Sequence, residues 1–457
     1  MPSPTRVRLA LGAIVLTYLG IGTLYAVHTP RWQVPDEPAH YNYIRQVVET
    51  RAFPVLEPGD YDQAYLSDLT STRFPPDKPI GTLEYEDHQP PLYYLLAAPA
   101  FRASGGSLLA LRLFSLALGA GVIVFTFFMV LEIFPTSPVL ALTTAGFVAF
   151  VPQHMAMMAG VNNDALAELW IVVGLWLMVR GIGRTEGTGG TRAVREEFVL
   201  GLVIGLAFLT KSTAYLLAPV AGVALLLRWR SGGLRGRLLL RDLAIVFAPA
   251  LLLGALWWGR NLAVYGWPDV MGLERHDLVV VGQPRTVEWI ADLGWGEYLR
   301  RYFVTTFRSF WGQFGWMGVV MDWRVYLALL AYSLLLLLGC VGAVIRRRRG
   351  QSRLPQAQVN SLAGLATALL IAAALYLYYN LTFVQHQGRY LYPALSVVGL
   401  GAAIGIRQWT KWVITGARLE AQGLGLWLQF ALPLIPISLM AALDVFALFR
   451  FIIPALQ

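Results

Sequence analysis

Near the start of the chain, Pro35-Asp36-Glu37-Pro38-Ala39-His40-Tyr41 sets two adjacent carboxylates and an imidazole between prolines. Carboxylates and imidazoles exchange protons with substrates, and the same groups hold metal ions. The prolines stiffen the backbone that carries them. Asp after Pro is also a common helix cap, so Asp36 reads as a helix start and as a site residue alike. A second segment, Glu84-Tyr85-Glu86-Asp87-His88-Gln89-Pro90-Pro91, repeats the device, with acids and an imidazole just before a proline pair.

The elements that must position these groups are apolar helices. The 457 residues are 56% hydrophobic and 14% charged, with a mean hydropathy of +0.56. Soluble domains carry about 25% charged residues, so the composition implies an integral membrane protein. Residues 9–28 are long enough to cross a bilayer and lack a small-residue cleavage site, which reads as a retained anchor. Cys340 is the only cysteine, which excludes an intrachain disulfide and a cysteine metal site.

The net charge of +9 sits in short loops between apolar runs. The clusters are Arg228, Arg230, Arg235, Arg237 and Arg241; Arg346 to Arg349 with Arg353; and Arg407, Lys411 and Arg418. This is the pattern of cytoplasmic loops and argues against nucleic acid as a partner. Threading the chain by apolar length and loop charge predicts an all-α polytopic membrane protein of about 11 transmembrane helices. Its N-terminus is cytoplasmic and its C-terminus outside. A first outer loop, 29–90, holds 11 of the 27 acidic residues, and a connection that long is usually functional. Residues 92–101 are too short to cross and read as an interfacial or re-entrant helix. A second outer segment, 266–323, is rich in aromatic residues suited to the interface. The whole of 1–457 reads as one membrane-embedded unit with no separate soluble domain. No internal repeat is evident, which weakens an inverted-repeat transporter.

This threading gathers Asp36, Glu37, His40, Asp87, His88, Asn163, Asp164, Lys211, Arg260, His386 and Arg389 on the outer side. Lys211 lies between two apolar runs in a very short turn, and an ionisable group at membrane depth is a functional candidate. Lys211, Arg260 and Arg389 facing several carboxylates suit a lipid phosphate beside a catalytic acid or base.

The ordered set resembles the GT-C superfamily of integral-membrane glycosyltransferases. The matching pieces are residues 35–41, 88–94, the span 112–119, and 152–164 with its Asn-Asn-Asp turn. Lys211, the Arg260-Asn261 pair with Tyr265-Gly266-Trp267-Pro268, and 387–393 complete it. The nearest likeness is to bacterial members that begin Pro-Asp-Glu-Pro-Ala-His, and more distantly to polyprenyl-phosphate-sugar-dependent mannosyl and aminoarabinose transferases. The resemblance implies sugar transfer from a polyprenyl-phosphate donor at the outer face of a bacterial plasma membrane. Asp36 would be the general base, with Glu37 the close alternative and Asp87 with His88 the second loop element. Lys211, Arg260 and Arg389 would hold the donor phosphate. His40, His88, Asn163, Asp164, His386 and Tyr390 would position substrate. The acceptor is open: small, lipid-linked or polymeric. No cofactor and no metal ligands are expected, a divalent metal being needed only for a diphosphate donor. The alternative from another class is a flippase for polyprenyl-linked glycans, which would carry its ionisable groups at mid-membrane on interrupted helices.

Overall fold

The computed structural model describes residues 3–183, 191–232, 236–351, 354–416 and 425–457. Arg235, Arg353 and Arg418 of the basic clusters lie outside the described residues. Capping and proline chemistry set most helix starts. Ser3 accepts from the Arg6 amide to open α1 (Pro4–His28). α2 (Glu37–Thr50) starts with a proline in its first turn, and the Asp62 carboxylate caps α3 (Gln63–Ser71). α4 (Leu92–Ala103) follows the Pro90-Pro91 pair, and Ser107 caps α5 (Leu108–Ile133). Pro152 has no amide proton and its ring clashes with the preceding turn, so it separates α6 (Pro138–Ala149) from α7 (Pro152–Met158) at a bend of 68°.

The chain continues through α8 (Asp164–Ile182), α9 (Thr191–Phe208), α10 (Leu217–Gly232) and α11 (Gly236–Tyr265). Residues 266–323 hold α12 (Leu273–Val279), α13 (Thr286–Trp311) and a two-stranded hairpin, β1 (Gln313–Phe314) and β2 (Val319–Val320). The strands pair antiparallel, Gln313 with Val320 and Phe314 with Val319. α14 (Trp323–Arg346), α15 (Gln356–Thr382), α16 (Leu395–Gly416), α17 (Gly425–Ala431), α18 (Leu434–Ala447) and α19 (Ile453–Leu456) complete the molecule.

Among the described residues nine helical segments are long and apolar enough to cross a membrane, or ten if the bent α6–α7 pair is one span. This is the expected all-α polytopic fold, one crossing short of about eleven. The difference is α9, expected to cross over 198–209. Its first turns carry Arg192, Arg195, Glu196 and Glu197. A count by length and composition therefore omits it, although its 18 residues run about 27 Å alongside α8, with Glu196 near Arg180 at one end and Lys211, just past its other end, on Asp164.

α5 packs along α8, α9 along α11, and α14 along α16. At the last interface a Cβ on Gly339 would stand 2.5 Å from the Gly405 carbonyl oxygen, and one on Gly405 would stand 2.3 Å from that of Leu336. Only hydrogen fits there. Between membrane helices such close backbone approach replaces the hydrophobic drive that lipid cannot supply. The alternating helix directions bring the end of α1, the start of α8, the end of α9 and the turn before α16 to one end of the bundle, where the first loop covers them.

Candidate active site

Asp36 and Glu37 are neighbours with different surroundings. Asp36 stands at the start of α2 with φ +67°, in the left-handed region that Asp tolerates better than most residues. Its side chain makes no capping hydrogen bond. One oxygen accepts from the Tyr85 hydroxyl at 3.1 Å and the other from Arg389 Nη2 at 3.2 Å. Its side chain is 31% exposed, so an approaching group can reach it. Glu37 is fully buried and bidentate to Arg112, at 2.8 and 2.7 Å. It also accepts from the amides of Trp32 and Val161. Arg112 spends its remaining protons on the carbonyls of Ala26, Thr29 and Pro30. Glu37 is therefore an anchor between α2 and α5, with each oxygen already accepting two hydrogen bonds, which does not suit the close alternative to Asp36 as base that the resemblance implied.

α2 also holds the 80–89 loop. Asn42 donates to the carbonyls of Ile80 and Leu83, Tyr43 to that of Gln89, and Gln46 to the Asp87 carboxylate at 2.9 Å. Asn42 and Gln46 are one turn apart on the same face. Asp87 is thereby turned toward α2. Burial pushes its carboxyl up to about 8, and its second oxygen has no partner among the described residues. The carboxylate of this loop that shares the field of Asp36, His40 and Lys211 is Glu86, raised by burial. Glu86, beside the expected Asp87, was missed because the register of a turn cannot be read from acidic spacing. His88 hydrogen-bonds the Tyr85 carbonyl and packs 4.7 Å from the His276 ring. Burial holds it well below the usual imidazole value, and its Nε2 stands 3.3 Å from the Gln89 amide.

His40 is buried with Nδ1 at 2.9 Å from the Tyr94 hydroxyl. Burial lowers its pKa, which favours the neutral ring. Asn163 reaches the same hydroxyl at 3.4 Å and Gln89 at 3.3 Å. Tyr94 is in turn fixed by stacking on Tyr43, centroids 3.6 Å apart.

Lys211 follows the end of α9 and pairs with Asp164, in the first turn of α8, at 2.7 Å. Burial pulls Lys211 down, but the charges of Asp164 and Glu86 outweigh it and its pKa lies above the ordinary value. Arg389 is nine-tenths buried, tied to Gln387 at 2.7 Å as well as to Asp36, and lies over the Tyr390 ring. Two cations thus stand each on a carboxylate, and the charge of Lys211 acts on Glu86 and His40.

Arg260 is elsewhere. Its guanidinium lies over Trp257 and Tyr265 and bonds Asn261 and the Pro54 carbonyl. It ties α11 to the first loop instead of joining Lys211 and Arg389. His386 faces Tyr298 and Tyr302, each 5.1 Å away, and Trp289 at 5.9 Å. Its burial lowers it to about 4. Among the described residues no three His, Cys, Asp or Glu side chains are placed to hold a metal ion.

No curated protein matches the sequence. The fold is similar to the oligosaccharyltransferase of Archaeoglobus fulgidus. Its apo form aligns over 96% of this chain and 55% of its own, at 13% identity and a TM-score of 0.51. Its form tethered to an acceptor peptide with the NVT sequon aligns over 95% and 54%, at 15% identity and a TM-score of 0.50. The chain thus spans about half the length of that protein. ArnT from Cupriavidus metallidurans, bound to undecaprenyl phosphate, aligns over 100% of this chain and 74% of its own, at 14% identity and a TM-score of 0.49. The likeness to the archaeal enzyme establishes a GT-C-like fold. Residues 65–398 match the family described as "Predicted membrane protein (DUF2142)", a stretch that begins after Asp36 and includes Glu86, Asp164, Lys211 and Arg389. The chain belongs to the DUF2142 family of membrane proteins.

Proposed function

We propose that this protein is a glycosyltransferase that moves a sugar from a polyprenyl-phosphate donor to an acceptor hydroxyl at the outer face of the membrane. The observation that carries the reading is the pair of ion pairs Arg389–Asp36 and Lys211–Asp164, with Glu86 and His40 in the field of Asp36 and Lys211, on a GT-C-like fold. A donor phosphate supplies the anion that these two cations now take from carboxylates. As it binds Arg389, the Asp36 oxygen is released. Asp36 then takes the proton of the acceptor hydroxyl while that oxygen attacks the anomeric carbon. The bond from carbon to phosphate oxygen breaks, and polyprenyl phosphate leaves with its charge held by Lys211 and Arg389. Arg260, His88 and His386 support the surrounding shell in this reading, and Glu86 replaces Asp87 as the second carboxylate.

Lipid-linked glycan transport is the second reading, and one feature favours it. The α6–α7 span is broken, and a buried His154–Glu168 pair at 3.0 Å lies where α7 meets α8. The deciding assay supplies purified protein with a panel of radiolabelled polyprenyl-phosphate sugars. Wild type should release polyprenyl phosphate, and Asp36→Asn should abolish release while keeping donor affinity. Arg389→Gln or Lys211→Met should weaken donor binding by roughly 1–3 kcal/mol, about 5- to 150-fold. Donor moved across vesicles with no release, equally by wild type and Asp36→Asn, would establish transport instead.

A further inference from the structure

The end of the bundle opposite Asp36 holds a cavity of about 590 Å³, within the size range of small-molecule sites. Its walls come from the starts of α1 and α6, the last turns of α16, and the junction of α17 with α18. Arg407 is 18 residues beyond Arg389, about 27 Å along helix, so this cavity is separate from the site above.

The lining has two kinds of surface. Arg6, Arg407 and Lys411 bring cations from two helices, α1 and α16, and Thr136, Ser137 and Thr410 add hydroxyls. Val139, Leu140, Ala403 and Phe430 form an apolar wall beneath them. Among the described residues the lining holds no acidic side chain. Among the described residues, Arg407 and Arg346 add charge of the same sign near Lys411. Ser137 stands at the start of α6 and its hydroxyl oxygen accepts no capping hydrogen bond. The amides of that helix start add partial positive charge.

Basic residues at a cytoplasmic helix end satisfy the positive-inside rule wherever they point. That rule accounts for the sign of the charge. It does not account for cations from separate helices lining one cavity whose other wall is apolar. Like charges brought together repel, and an anion seated among them relieves the repulsion.

We propose that this cavity binds a phosphate-bearing lipid, its headgroup among Arg6, Arg407 and Lys411 and its chain along Val139, Leu140, Ala403 and Phe430. The site stands independently of the sugar-transfer reading.

The test titrates the full chain in a non-ionic detergent with phosphatidic acid, with phosphatidylcholine of the same acyl chains, and with inorganic phosphate. Binding is read by native mass spectrometry. Phosphatidic acid should bind at least about tenfold more tightly than either of the others, the scale of one charge-assisted hydrogen bond. Arg407→Gln with Lys411→Gln should lose a similar factor. Val139→Trp, which fills the apolar wall and leaves the charges alone, should do so too. Arg192→Gln with Arg195→Gln, elsewhere on the surface, should leave affinity unchanged. Equal binding of phosphatidylcholine would overturn charge recognition, and equal binding of inorganic phosphate would make this a soluble-anion site. An equal loss in the Arg192 and Arg195 pair would reduce the effect to surface charge. If a cavity variant fails to fold by size exclusion, the three-ligand comparison on wild type still decides.

Discussion

Adjacent acids in this protein answer to different physics. Glu37 sits in a sealed cage of guanidinium and amide protons, whereas Asp36 keeps an exposed edge and a partner it can exchange. Removing one member of a buried ion pair strands the other, at a cost of about 3–5 kcal/mol. Glu37→Gln, which strands Arg112, should therefore lower the melting temperature sharply, while Asp36→Asn, whose half-open pair leaves Arg389 its bond to Gln387, should lower it much less. Equal melting of the two variants would remove the anchor role from Glu37. Asp87 gives a pH signature. Its folded-state value of about 8 is above the ordinary carboxyl value, so its contribution to stability is full at acid pH and is lost as pH rises through 8. Wild type should thus lose melting temperature progressively between about pH 4 and pH 8 relative to Asp87→Asn, whose profile should be flatter. A parallel pair of profiles would show that Asp87 is not buried in its neutral form. From sequence these residues are visible as acids near a membrane surface. Their division of labour is invisible, because it depends on Arg112, 75 residues away along the chain, and on the turn that sends Glu86 and Asp87 different ways.

Helix α2 is the part that turns a flexible loop into a wall of the site. Its Pro-Asp-Glu-Pro start was readable, and so was the tendency of residues 92–101 to form a short helix after a proline pair. The clamp was not, since Asn42 and Gln46 look like ordinary polar residues of a surface helix until the loop folds back on them. Asn42 holds two carbonyls of the 80–89 loop at 2.7 and 2.9 Å. Each such bond is worth about 1 kcal/mol net. Asn42→Ala should speed hydrogen exchange of amides 83–89 by roughly tenfold or more and reduce sugar transfer, with global melting little changed. Unchanged exchange would mean that the loop is held by its own packing. Arg260 is the converse case. Its charge and its place at a helix end suggested phosphate, but two aromatic faces and a backbone carbonyl claim it. The nearby Trp257 and Tyr265 were the signal in the sequence that an arginine there could be stacked instead of free.

At the scale of the whole molecule, chemistry and basic charge separate to opposite ends of the helix bundle, and that polarity fixes a testable orientation. Lys211 follows the end of α9, and Thr191 and Arg192 stand exposed at its other end, about 27 Å away along the axis. Ser67 on α3 is exposed in the first loop, on the side that carries Asp36. A sugar donor presented in the outer leaflet requires the Asp36 end to face out. The positive-inside rule independently puts the Arg228, Arg237 and Arg241 loop on the opposite side. With Cys340 replaced by serine, a cysteine at Ser67 should react in intact cells with a membrane-impermeant maleimide. A cysteine at Arg192 should react only after the membrane is opened. The reverse pattern would place the Asp36 cluster on the cytoplasmic side, where the donor would have to be an inward-facing lipid and the outer-face reading would fail. Labelling of both positions from outside would break the single polarity on which the threading rests. Because the label reports position without requiring turnover, the outcome separates an error in orientation from an error in the proposed chemistry.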